Sequence, residues 1–161
     1  MNYKIANKEI CNALIKREIV RGYDIDKDTV FVTADGCCGF IIPKAEIVYN
    51  ITKMHEMNKL LDFSDYLKPE NEIKPTMIYV RRDGDFCRRF DGKDWKVFIK
   101  DKYLKKLDES EYYQFFQNYE EGKDMTRQMI VAAVKKQNKY IPVMVLLPVI
   151  IFDYESSEKV R

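Results

Sequence analysis

The densest run of chemically capable side chains is Tyr79-Val80-Arg81-Arg82-Asp83-Gly84-Asp85-Phe86-Cys87-Arg88-Arg89-Phe90. Guanidinium groups chelate phosphate through paired N–H donors and also stack on flat rings, so arginines interleaved with aromatics suit recognition of nucleic acid or of a protein surface. Asp83-Gly84 supplies the positive φ angles of a two-residue hairpin turn. That turn pairs Arg82 with Asp85, Arg81 with Phe86, Val80 with Cys87 and Tyr79 with Arg88. Alternation then sets Tyr79, Arg81, Phe86, Arg88 and Phe90 on one face, and Ile78, Val80, Arg82, Cys87 and Arg89 on the other. Arg81 and Arg88 are the preferred contact pair, because Ile78 and Val80 are expected to turn toward the core. Lys93, Lys96 and Lys100 extend the positive region. The bland reading uses the same residues: charges keep a hairpin edge from aggregating, arginine stems cover aromatic surface, and Asp83, Asp85, Asp91 and Asp94 dilute the field.

Catalytic chemistry finds little footing. His55 is the one histidine, so Met54-His55-Glu56-Met57 lacks the second imidazole of an H-E-x-x-H zinc site. The chain holds no G-x-S-x-G elbow, no phosphate-cradling G-x-x-x-x-G-K-[ST] loop and no G-x-G-x-x-G dinucleotide turn. Asp24, Asp26, Asp28 and Asp35 have the alternation of a calcium loop, yet Thr29 stands where the sharp turn needs glycine and Asp35 where the loop needs Glu. A solvated turn is expected there, with no metal. Cys11, Cys37, Cys38 and Cys87 lie on unrelated segments without C-x-x-C spacing and are read as four free thiols. The expectation is a non-enzyme without cofactor.

The elements that must carry these residues follow from periodicity and turn chemistry. Asn7 is expected to cap a helix from about 8 to 21, with Ile10, Cys11, Leu14, Ile15 and Ile19 on its apolar side and Gly22 as its stop. Val30-Phe31-Val32 and Phe40-Ile41-Ile42 flank Asp35-Gly36 as a first hairpin. Pro43 then opens an expected second helix through Ile47, Ile51, Met54, Met57 and Leu61 to about Asp62. Residues 64–74 read as a surface connection. The Arg-rich hairpin follows, then a strand from Trp95 to Ile99 and a short helix capped by Asp101. Tyr112, Phe115, Phe116 and Tyr119 repeat at helical spacing. Met129–Val134 and Tyr140–Phe152 frame a third hairpin around Lys135, Lys136 and Lys139.

This is an α+β pattern of antiparallel hairpins with helices packed on one side. The two halves, about 1–63 and 75–153, share an order of strand, Asp-Gly turn, strand and helix, with few identities. The run VFIKDKYLKKL at 97–107 resembles the strand-to-helix passage of the DNA sliding clamps, the polymerase processivity factors. YIPVMVLLPVII at 140–151 is similar to their closing strands, and TADGCCGFIIP at 33–43 to one of their hairpins. The resemblance implies two clamp-like repeats, a helix-lined surface facing DNA and a peptide-binding groove.

Composition bounds the choice. At 161 residues with 46% hydrophobic content, the chain is expected to form one domain. Lys and Arg total 28 against 26 Asp and Glu, so affinity for nucleic acid has to come from local clustering. Met1-Asn2-Tyr3-Lys4-Ile5 lacks a signal-peptide apolar core, and no run approaches the ~20 apolar residues of a membrane span, so a cytoplasmic protein without membrane contact is expected. Two functions remain open. One is a clamp-like accessory factor in replication or another DNA transaction. The other is a small interaction or inhibitor protein, of the sort carried by phages and mobile elements, docking on a protein partner. Self-association is compatible with both.

Overall fold

A computed structural model describes residues 3–50, 55–56 and 62–151. Among them, ten strands join in one sheet of order β4-β1-β2-β3-β10-β9-β8-β5-β6-β7. The strands are β1 Arg21–Asp24, β2 Thr29–Thr33, β3 Cys38–Pro43, β4 His55–Glu56, β5 Glu72–Arg82, β6 Asp85–Asp91, β7 Lys96–Lys100, β8 Tyr113–Phe116, β9 Ile130–Lys136 and β10 Lys139–Leu146. Every pairing is antiparallel except β1 with β4. With two α-helices among the described residues, α1 Tyr3–Ile15 and α2 Asp101–Leu104, the fold is α+β.

Alternation along the central strands separates two apolar layers. Val30, Val32, Phe40, Ile42, Ala132 and Met144 enter the main core with Ala6 and Ile10 of α1 and with Tyr103 and Leu107 at α2. Phe31, Ile41, Val131 and Val145 point the other way, onto Phe63, Tyr66 and Leu67 of the connection at 62–67. The two helices therefore share one core. Lys106 Nζ, two residues past α2, and a Glu9 carboxylate oxygen of α1, 2.8 Å apart, join the two regions.

Three expected elements differ. The first helix starts at Tyr3 and stops at Ile15, so Asn7 is a buried interior residue whose amide donates to the Glu46 carbonyl at 2.8 Å. Its stop comes from Arg17 at φ 60, with Glu18 N–H donating to the Ala13 carbonyl and Arg17 N–H to that of Leu14, a Schellman arrangement built without glycine. Gly22 lies inside β1, paired with Val32, and Ile19 is exposed. As far as residue 50, the helix expected from Pro43 is replaced by ladder and a 3-10 turn. Pro43 pairs with Thr29, Lys44 N–H donates to the Asp28 carbonyl, the 3-10 turn covers only Lys44–Glu46, and Ile47 is extended. His55 and Glu56 form β4, and the rest of the expected stripe, Ile51, Met54, Met57 and Leu61, lies outside the described residues. The stripe at Tyr112 to Tyr119 is no helix: its centre is strand β8, with Tyr112 and Tyr119 outside it, and Phe115 packs edge-on against Phe90 and Phe116 against Tyr140, from opposite faces. A strand covered on both faces reads as an unbroken apolar run, which spacing alone does not separate from a helix.

The strand, turn, strand and helix rhythm is not what recurs among the described residues. What does recur is a helix followed by a three-strand meander: α1-β1-β2-β3 and α2-β8-β9-β10. The two meanders meet where β3 pairs with β10. Beyond β10 the chain crosses to the outer edge of β7, where Val149 N–H donates to the Phe98 carbonyl at 2.7 Å. That bridge closes a circuit through β10, β9, β8, β5, β6 and β7.

Candidate interaction arm

The β5–β6 hairpin has the register expected from its turn: Arg82 with Asp85, Arg81 with Phe86, Val80 with Cys87 and Tyr79 with Arg88. Asp83 at φ 50 and Gly84 at φ 84 build a type I′ turn, whose twist matches the strands it joins. Near its root the ladder shifts between Pro75 and Tyr79, because proline cannot donate and Thr76 turns its hydroxyl to the Arg89 carbonyl. Above this bulge β5 has left β8, which pairs with it only at Glu72 and Ile73. The hairpin therefore continues as an arm.

Root and tip differ in chemistry. At the root, Phe90, Val97 and Ile99 are fully buried in the main core on the face that also carries Arg88. A hollow of about 240 Å³ opens there between Pro75, Arg88, Phe90, Leu104, Tyr113 and Phe115. At the tip the same face is open. Tyr79 is 44% exposed, Phe86 59% and neighbouring Met77 83%. The Arg81 guanidinium lies 5.9 Å from the Phe86 ring centre, and that of Arg88 5.7 Å from the Tyr79 ring centre. Arg88 also donates from Nε to the Thr76 carbonyl at 2.7 Å, which fixes its plane.

The opposite face is committed to structure. Arg89 grips Asp91 with two donors, Nη2 to Oδ2 at 2.7 Å and Nε to Oδ1. Arg82 donates to the Ile150 carbonyl and reaches Asp83 at 3.4 Å. Cys87 is buried, and burial raises its thiol pKa. Asp85 is held by Lys100 at 2.9 Å and Lys102 at 3.0 Å; these hydrogen bonds, Lys100 first, lower its pKa. Lys93 and Lys96 are exposed around the β6–β7 turn, with Lys96 opposite Asp91.

The expectation that Ile78 and Val80 lead into the core is therefore corrected. Ile78 is 36% exposed, Val80 is half-buried, and the side that enters the main core is the Arg88 side, at Phe90. The other side meets the segment after β10, where Arg82 donates to the Ile150 carbonyl. The structure brings Tyr79, Arg81, Phe86 and Arg88 together and leaves Arg82, Arg89, Lys93 and Lys96 apart from them. Met77 was missed by sequence reasoning. Its signal was the unbroken run Met77-Ile78-Tyr79-Val80, which departs from the alternation of a half-buried strand.

The acidic series is dispersed into local contacts. Asp24 pairs with Lys44 at 2.8 Å, Asp26 accepts the Asp28 N–H at 2.8 Å, and Asp35 accepts the N–H groups of Cys37 and Cys38 inside the first hairpin. Lys135, Lys136 and Lys139 are exposed at the β9–β10 turn. Among the described residues no helix is long and apolar enough to cross a membrane. Comparison with family models, curated proteins and solved structures finds no match.

Proposed function

We propose that this chain is a non-catalytic binding protein of the cytoplasm that docks on a protein partner through the tip face of the arm. One observation carries the reading: Met77, Tyr79 and Phe86 are held exposed on a projecting hairpin, with Arg81 and Arg88 lying over the rings. Such side chains add nothing to the core, whereas aromatics and arginines dominate interface hot spots. Phosphate chelation is a weaker use of the arm, because Arg88 on this face already spends its Nε on the Thr76 carbonyl and, on the opposite face, Arg89 spends its fork on Asp91. The test is photo-cross-linking in the native host from a benzophenone amino acid at position 86, with position 112 as control, since Tyr112 is 83% exposed and is not part of the β5–β6 hairpin. One discrete partner captured from 86, absent from 112 and lost with Tyr79→Ala, is expected. Equal capture from both positions overturns the assignment.

A clamp-like DNA role has separate support. Exposed Lys4 and Lys8 of α1 and Lys102 of α2, with Lys16 and Lys105 just past the helix ends, lie on one side of the sheet, and the recurring helix-and-meander order suits a duplicated clamp-type unit. In this reading DNA affinity falls steeply with salt. Replacing Lys4 and Lys8 by Ala flattens the slope by about two for duplex DNA, while Arg81→Ala/Arg88→Ala leaves it unchanged. No salt-dependent binding by the wild type removes this second reading.

A further inference from the structure

The arm has an edge as well as a face. In a two-residue hairpin the residues flanking the turn exchange both backbone hydrogen bonds, and the pairs alternate from there. Arg82 and Val80 therefore spend their backbone groups on β6, while the N–H and C=O of Tyr79 and Arg81 point outward. No described strand lies on that side, since β8 reaches only Glu72 and Ile73. Natural edges are blunted by proline, bulges or inward-pointing charges. Here Pro75 and the Thr76 bulge protect the root, whereas Tyr79 to Arg81 stays regular and exposed to half-buried.

We infer that this edge pairs with the same edge of a second copy, antiparallel about a two-fold axis at Val80. In that register Tyr79 faces Arg81 of the second copy and the reverse, so all four outward backbone groups of each strand segment are satisfied. The side chains agree with the backbone. Each Arg81 meets a tyrosine ring, Val80 meets Val80, Ile78 meets the stem of Arg82, and no cation directly opposes another. An acidic peptide would suit the arginines but leave the Ile78 and Val80 side without an apolar match. The pairing is isologous, as a closed dimer requires. It adds to the docking reading without depending on it, because the edge lies beside the docking face and pairing would double that face across four strands.

Sedimentation equilibrium of the full chain up to about 1 mM tests for weak association. The expected result is a concentration-dependent approach to twice the monomer mass, lost with Tyr79→Pro, which removes an outward N–H that edge strands can forgo. Unchanged circular dichroism shows that the variant still folds. Register is tested in a Cys37→Ser background by mixing Tyr79→Cys protein with Arg81→Cys protein under mild oxidation. Facing positions about 5.5 Å apart at Cα accept a disulfide, while each variant alone offers only a diagonal separation of about 7–8 Å. A mixed disulfide in the combined sample and none in either alone is expected. A monomer at every concentration, a dimer indifferent to Tyr79→Pro, or no mixed disulfide overturns the inference. None of these outcomes bears on cross-linking from position 86.

Discussion

The indole N–H of Trp95 donates to the side-chain oxygen of Gln117 at 2.8 Å, and the Gln117 side chain is fully buried. Its amide nitrogen donates onward to the carbonyls of Met125 at 2.7 Å and Gln128 at 2.9 Å. Trp95 is held in turn by stacking on Tyr119, with ring centres 4.6 Å apart. One side chain thus ties the β6–β7 turn to the segment before β9. Gln117→Leu leaves three partners of a buried side chain without their bond, so a loss of about 3 kcal/mol is expected in urea unfolding, against about 1 kcal/mol for Trp95→Phe at the hydrogen bond itself. Equal midpoints for Gln117→Leu and wild type would contradict this.

Acid should loosen the fold through carboxylates held below their ordinary range. Asp85 is lowered by its hydrogen bonds to Lys100 and Lys102, Asp26 by the Asp28 N–H, Asp62 by the Ser64 N–H and Asp124 by the Thr126 hydroxyl. A folded pKa below the unfolded one adds stability above the unfolded value, and that stability is lost as pH falls through the folded value. Urea midpoints should therefore stay level near neutrality and drop below about pH 4. Asp85→Asn should make that drop shallower. An acid limb identical to wild type would remove Asp85 from the account.

Two glycines should fail for different reasons. At Gly39 the Phe31 ring lies 2.2 Å from where a Cβ would sit, so Gly39→Ala must displace the ring. Gly36 has no heavy atom within 4 Å of that position, but its φ of +71 strains any L side chain. Gly39→Ala is expected to cost about 1–3 kcal/mol, partly restored by Phe31→Leu, while Gly36→Ala is not restored by the same change. A double-mutant cycle in urea reads both.

All four cysteines are free, in different surroundings. Cys37 is exposed, whereas burial pushes the Cys38 thiol up to about 12 and also raises that of Cys87. Timed labelling with a thiol-disulfide reagent at pH 8 should modify Cys37 first and spare Cys38 and Cys87 until denaturant is added, when the count reaches four. Early modification of Cys38 would contradict its burial.

Local chemistry was legible in the sequence wherever a turn type dictates register. Asp83-Gly84 and the alternation around it gave the arm its pairing and its two faces, and Asp35-Gly36 its place at a hairpin tip, because positive φ angles and a period of two are properties of neighbouring residues. What those faces meet was settled by tertiary structure. Whether Phe90 is core while Phe86 on the same face is open depends on α2 and β8 arriving from elsewhere in the chain, and Arg82 is claimed by Ile150, 68 positions away. Helical spacing misled at Tyr112 to Tyr119 for the same reason: a strand buried on both faces satisfies two layers at once, and only the assembled sheet says that two layers exist. The edge of β5 that no described strand covers is likewise no property of its own residues. It exists because β8 ends its pairing at Ile73 while β5 runs on to Arg82.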